Sequence, residues 1–177
     1  MPNNPFDKLA DIPQFTLTST DIVDGEPLAL AQASGAFGVD GGQDISPQLS
    51  WSDAPAETQS YVVTCFDPDA PTQSGFWHWA LANLPASVTE LPTNAGNPEA
   101  GLVPEGAFHV RNDAGQPGFL GAAPPAGHGP HRYFFVVHAL DVPTLEGVTA
   151  DASPAFLGFN VFGHAIARAY LAPTFEQ

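Results

Sequence analysis

The chain holds one cysteine in 177 residues, Cys65, so no intramolecular disulfide can form. The core alone must hold the fold, and at this length a globular chain removes roughly 68 to 70% of its unfolded surface from water. With 44% hydrophobic residues the material for such a core is present. Cys65 sits in the apolar run 61–66 and reads as a small buried hydrophobe rather than a nucleophile, and a lone thiol fits a reducing cytosol. Cationic side chains are almost as scarce: Lys8, Arg111, Arg132 and Arg168 stand against 19 Asp and Glu, for a formal net charge of −15 and a pI near 4.2. Without a basic patch the chain cannot neutralise a phosphate backbone or dock stably on anionic lipid, which excludes nucleic acid and a membrane surface as partners. The acidity reads as a solubility property.

No apolar stretch approaches the roughly 20 residues that span a bilayer. The first eleven residues lack the basic and apolar regions of a secretion signal. Together these predict a soluble, cytoplasmic protein. Also missing are His-Glu-x-x-His, Gly-x-Ser-x-Gly, a Gly-Lys-Ser/Thr phosphate loop, Gly-x-Gly-x-x-Gly and any cysteine pair. No catalytic residue is assigned and no cofactor is expected. His78, His131 and Asp67 are chemically able to hold zinc, but fall in no recognised ligand spacing, and no metal is assigned.

What is abundant is turn chemistry. Gly 17 and Pro 19 are spread along the whole chain, which favours short strands joined by turns and excludes a helical bundle. Strands are predicted over 15–19, 49–51, 60–66, 77–84 and 132–140, each rich in β-branched or aromatic residues. One helix is predicted near the end, opened by Ser153 and Pro154 and closed by Pro173. Phe156, Leu157, Phe159, Val161, Phe162, Ile166, Tyr170 and Leu171 leave it little polar face, so it should pack deeply on the sheet. Gly158 and Gly163 within it suggest the close approach of another backbone. The predicted fold is mainly β, a sandwich or barrel with a packed C-terminal helix. It comprises a polar segment 1–14 and a single domain 15–177.

Residues 115–130 are too rich in Gly and Pro for a helix or central strand, and an unstructured connection of that length is commonly functional. The loop runs into His131. Asp67-Pro68-Asp69-Ala70-Pro71 follows the apolar run and sets two carboxylates at a strand's end. Strand alternation puts Trp77, Trp79 and Leu81 on one face and His78, Ala80 and Ala82 on the other, leaving His78 space beside small neighbours. The same rule puts His131 and Tyr133 together, opposite Arg132. Two histidines, a tyrosine and a carboxylate can thus converge on one cavity. His109, His138 and His164 read as structural, and His128 fits either role. Arg132, on an apolar face beside Phe134, needs a partner, and Asp69 is the candidate for a buried ion pair.

These residues resemble the phosphatidylethanolamine-binding proteins, in their bacterial Raf-kinase-inhibitor-like branch. The resemblance rests on Ser46-Pro47-Gln48-Leu49-Ser50-Trp51, Asp67-Pro68-Asp69-Ala70-Pro71, Phe76-Trp77-His78-Trp79 with Asn83-Leu84-Pro85, Gly121-Ala122-Ala123-Pro124-Pro125, and Gly127-His128-Gly129-Pro130-His131-Arg132-Tyr133. Residues 152–169 look like the helix of bacterial members. The resemblance implies two packed β-sheets and a small pocket for an anion such as phosphate or a phospholipid head group. Asp67, His78, His131 and Tyr133 would form that pocket, and the rim 121–123, with Gly121 and Ala123, would offer backbone N–H groups. The first reading is a cytoplasmic binding protein for a small anionic or phosphorylated ligand. A protease or kinase inhibitor acting through protein contact is a second. A hydrolase using His78 or His131 as base, oriented by Asp67, is a third, disfavoured because no nucleophile is fixed near the site. Bacterial relatives and the surplus of 13 Phe and 3 Trp suggest a homodimer.

Overall fold

The run Tyr61-Val62-Val63-Thr64-Cys65 is apolar on both of its alternating faces, so a strand built from it has to be covered on both sides. In the computed structural model, which describes residues 4–177, it becomes the central strand of the larger sheet. The elements in chain order are β1 (Thr16–Thr18), β2 (Leu49–Ser52), β3 (Ser60–Asp67), β4 (Phe76–Pro85), β5 (Glu90–Leu91), β6 (Phe108–His109), β7 (His131–Arg132), β8 (Phe134–Leu140), α1 (Pro154–His164), β9 (Ala165–Leu171) and β10 (Thr174–Phe175). Among the described residues three sheets result, ordered β6-β4-β3-β8-β9, β1-β2-β5 and β10-β7. All pairings between these strands are antiparallel.

The five-stranded and three-stranded sheets form the sandwich. Between them lies the main core, in which Leu17, Leu49, Trp51 and Leu91 meet Tyr61, Val63, Cys65, Trp79, Leu81, Phe135 and Val137. The other face of the large sheet carries a second cluster, where Val62, Ala80, Ala82 and Leu140 pack against Leu145, Val148, Leu157 and Val161. Helix α1 supplies the last two.

The helix is shorter and shallower than its sequence suggests. Ser153 caps it, its hydroxyl accepting from the Phe156 N–H at 3.1 Å, and Pro154 opens it as expected. It ends at His164, however, and residues 165–171 form β9, paired along β8 with Val137 opposite Ala169 and His138 opposite Arg168. The free edge of β8 outweighs the local helical tendency: its unpaired backbone groups are satisfied by a strand and would not be by a helix. Pro154, Leu157 and Val161 are its buried residues, while Phe156, Phe159 and Phe162 are 45%, 73% and 63% exposed. Added Cβ atoms at Gly158 and Gly163 would meet nothing within 4 Å, so no backbone approaches either. The strand predicted over 132–140 is also divided, since Arg132 belongs to the small sheet and β8 begins at Phe134.

Of the segment 1–14, residues 1–3 lie outside the described residues. The rest lies against the β8 and β9 side of the sheet: the Phe6 ring sits 4.9 Å from that of Tyr170, and Arg168 donates to the Ala10 carbonyl. Among the described residues no helix is long and apolar enough to cross a membrane.

Candidate functional site

Strand β3 ends where proline interrupts its ladder, and Asp67 caps the turn that follows. Its Oδ1 accepts from the N–H groups of Asp69, at 2.7 Å, and Ala70, at 3.0 Å. Its Oδ2 is left for a partner and accepts from Nδ1 of His131 at 2.8 Å. Both side chains are almost completely buried. His131 Nε2 in turn lies 2.7 Å from Nδ1 of His128, which stands exposed on the Gly-Pro loop. The chain Asp67, His131, His128 therefore runs from the interior to the surface, and the sequence pattern had left His128 undecided.

His78 reaches the same place by a different route from simple alternation. Cys65 pairs with Trp79 and Phe66 with Trp77, so His78 is the extra residue of a β-bulge. The bulge turns Trp77 onto the Phe66 face, ring centroids 4.4 Å apart, and carries His78 to the side of Trp79. Its neighbours are not small: the rings of Phe76 and Tyr133 lie at 4.8 and 5.1 Å. Leu120 holds it twice, with its N–H donating to the His78 carbonyl and its carbonyl accepting from Nδ1, both at 2.9 Å. Burial lowers the His78 pKa below its ordinary value, with the Leu120 carbonyl and the Asp67 charge opposing. The ring is thus neutral near pH 7, its Nδ1–H committed to Leu120 and its Nε2 free of that bond.

Tyr133 completes the group. Its side chain is buried, and among the described residues its O–H finds no acceptor. Burial first, then the Asp67 charge, push the phenol well above its usual pKa, the Ala123 backbone N–H opposing, so the hydroxyl stays a neutral donor. The rim 121–123 is less open than its glycine suggests. Gly121 N–H donates to Asp44 Oδ1 at 2.8 Å and Ala122 N–H to the Gln32 carbonyl at 2.9 Å, which leaves Ala123 as the rim's N–H toward Tyr133. A Cβ on Gly121 would lie 2.4 Å from the Ala33 carbonyl carbon, so the rim is pressed against that backbone. Asp44 is a positioning residue that no motif announced.

Beside the site, Arg132 grips Asp69 by a two-pronged ion pair, with Nε and Nη2 each 2.7 Å from a carboxylate oxygen, and the Arg132 N–H adds a third bond at 3.0 Å. The pair is not interior: the two side chains are 23% and 25% exposed. Burial would raise the Asp69 pKa, and the Arg132 hydrogen bonds and charge more than offset it, leaving the carboxyl below its usual range. Among the described residues no group of three or more His, Cys, Asp or Glu is arranged to hold a metal ion.

Residues 18–176 match the family model described as phosphatidylethanolamine-binding protein. YbhB of Escherichia coli is 48% identical over 162 residues, covering 90% of this chain and 99% of that protein. The crystal structure of E. coli YbcL superposes with a TM-score of 0.89 at 43% identity, covering 93% of this chain and 99% of that one. The Chlamydia trachomatis homologue CT736 superposes with a TM-score of 0.72 at 31% identity, covering 93% and 98%.

Proposed function

The chain belongs to the phosphatidylethanolamine-binding protein family, and from that premise and the site's geometry we propose that it binds a small anionic or phosphorylated ligand, of the phosphodiester head-group kind, between His78, Tyr133 and the Ala123 rim. The Tyr133 hydroxyl carries this reading. A buried donor without an acceptor is costly, and an anionic oxygen seated beside it removes that cost. The Ala123 N–H supplies a second donor, and His78 a third once protonated.

The Asp67 carboxylate sets the terms of binding. It opposes any anion, so affinity depends on the protonation of His78, whose charged form burial disfavours and the Asp67 charge favours. A phosphate monoester loses charge over the same pH range, whereas sulfate and glycerophosphoethanolamine do not. Both should bind more tightly at pH 5.5 than at pH 8, measured by calorimetry at fixed ionic strength; equal affinities would remove the site from consideration.

Binding is better supported than hydrolysis. The Asp67 and His131 pair has the arrangement of a base and its orienting group, but the thiol on the same strand, Cys65, is buried in the core with its pKa pushed well up by desolvation and then by Asp67. A hydrolase would release product from generic phosphodiesters or esters, and none is expected.

A further inference from the structure

On the face of the large sheet away from the sandwich core, the sheet, α1 and the N-terminal segment border an open cavity of about 580 Å³. That lies within the range of small-molecule sites. Phe66, Trp77, Phe134, Val136, Leu157 and Val161 form an apolar wall. Arg168 of β9 also lines the cavity, and it is an anomaly in this molecule. The residue is 7% exposed, its Nη2 donates to the Ala10 carbonyl at 2.6 Å, and its guanidinium lies 4.9 Å from the centre of the Phe6 ring. Among the described residues its buried Nε–H has no hydrogen-bond partner. Arg111 and Arg132 have carboxylates at 2.6 and 2.7 Å, but among the described residues Arg168 has none within ion-pair distance.

The surroundings do not supply the missing charge. His138 stands opposite Arg168 in the ladder, neutral because desolvation, then the guanidinium, hold its pKa down to about 3. Asp11 acts on Arg168 only at longer range, and Asp7 and Lys8 are exposed residues of the segment bordering the cavity. A buried cation without a counterion is disfavoured, and here it stands in a chain of net charge −15. An anion with an apolar body satisfies both features at once. A forked carboxylate matches a guanidinium, and one alkyl chain matches the wall.

We propose that this cavity is a second ligand site, taking a single-chain amphiphile with a carboxylate head, of the fatty-acid class, with its head on Arg168 and its tail along the Phe66, Trp77 and Val136 wall. It shares no residue with the Asp67, His78, His131 and Tyr133 site and lies across the sheet from it, so the two readings stand or fall separately.

Laurate, added below its aggregation concentration and followed by tryptophan fluorescence and calorimetry, tests this, because Trp77 lines the cavity. Laurate should saturate one site per chain and bind about tenfold more tightly than dodecanol, the same chain without the charge. Arg168→Met should lower laurate to the dodecanol level. Because Arg168 also anchors Ala10, a second variant guards against a folding defect: Gly158→Leu enters the cavity from α1, where an added Cβ meets nothing within 4 Å. It should weaken both ligands about tenfold, by the loss of apolar contact, without lowering the melting temperature. No saturable laurate binding, equal affinity for laurate and dodecanol in the native protein, or laurate affinity unchanged in Gly158→Leu would each overturn the proposal.

Discussion

Asp67 holds His131, 64 residues away, through a single 2.8 Å hydrogen bond, while its other carboxylate oxygen caps the turn that ends β3. One side chain thus fixes both a strand terminus and the orientation of an imidazole. A carboxylate only accepts, so Nδ1 of His131 carries the proton it shares with Asp67, and Nε2 is left to hydrogen-bond with Nδ1 of His128. Asp67→Asn retains a turn-capping oxygen but presents an N–H to the ring. In that variant the proton should move to Nε2, visible as exchanged ¹⁵N shifts of the two ring nitrogens. Unchanged shifts would show that Asp67 does not set the tautomer.

Arg132→Ala should cost about 2 kcal/mol, between the values for exposed and fully buried pairs, since its ion pair with Asp69 is about a quarter exposed and two-pronged. At this chain length that corresponds to a melting temperature lower by roughly 4 to 8 °C. Arg111→Ala, which loses an exposed pair with Asp151 and an exposed hydrogen bond to the Gly115 carbonyl, should change stability by less than about 0.5 kcal/mol. Equal melting temperatures for the two variants would show that the Asp69 grip adds nothing to the fold.

Acid should destabilise the protein through its buried histidines first and its paired carboxylates later. His109 accepts from Trp79 Nε1 at 3.1 Å, and burial lowers its pKa to about 4. The unfolded state therefore takes up this proton first, and stability falls as pH drops from about 6.5 toward 4, by about 3 kcal/mol for this group. Asp69, with its pKa lowered in the fold, contributes stability that is present above the ordinary carboxyl pKa and lost only as pH falls below it. His109→Gln should make the histidine stage shallower without removing it, since His78 and His138 are also held neutral by burial, and should leave the carboxylate loss, in urea titrations at successive pH values. An unchanged slope between pH 6.5 and 4 would contradict this assignment.

Gly121→Ala should be poorly tolerated, because its Cβ would meet the Ala33 backbone at 2.4 Å, a contact neither partner can relieve by a rotamer change. A loss of about 3 kcal/mol is expected, at the upper end of overpacking effects. Gly127→Ala, in open space at φ +75°, should cost only about 1 kcal/mol. Similar melting temperatures for both would mean that the rim is not tightly held.

What the sequence disclosed divides along physical lines. The sandwich was legible because the 60–66 run is apolar on both faces and the Gly and Pro spacing demands turns. Asp67, His131 and Tyr133 were legible because they stand at strand ends beside a long loop. The second half of the predicted helix was misread: large Ile166, Arg168 and Tyr170 alternate with small Ala165, Ala167 and Ala169, a period of two that the caps at Ser153 and Pro173 masked. The face of His78 was not legible, because a bulge is decided by the partner strand. Neither was the commitment of the Gly121 N–H to Asp44, a contact 77 residues long.

The central claim, that the buried Tyr133 hydroxyl awaits an anion, is tested most directly by measuring stability and affinity together in Tyr133→Phe. Removing a buried donor without a partner relieves its desolvation, so the variant should melt no lower than the native protein. Removing a hydrogen bond to a charged ligand should weaken sulfate and glycerophosphoethanolamine by about tenfold or more at pH 5.5. A variant that melts lower yet binds both ligands with native affinity would contradict the account.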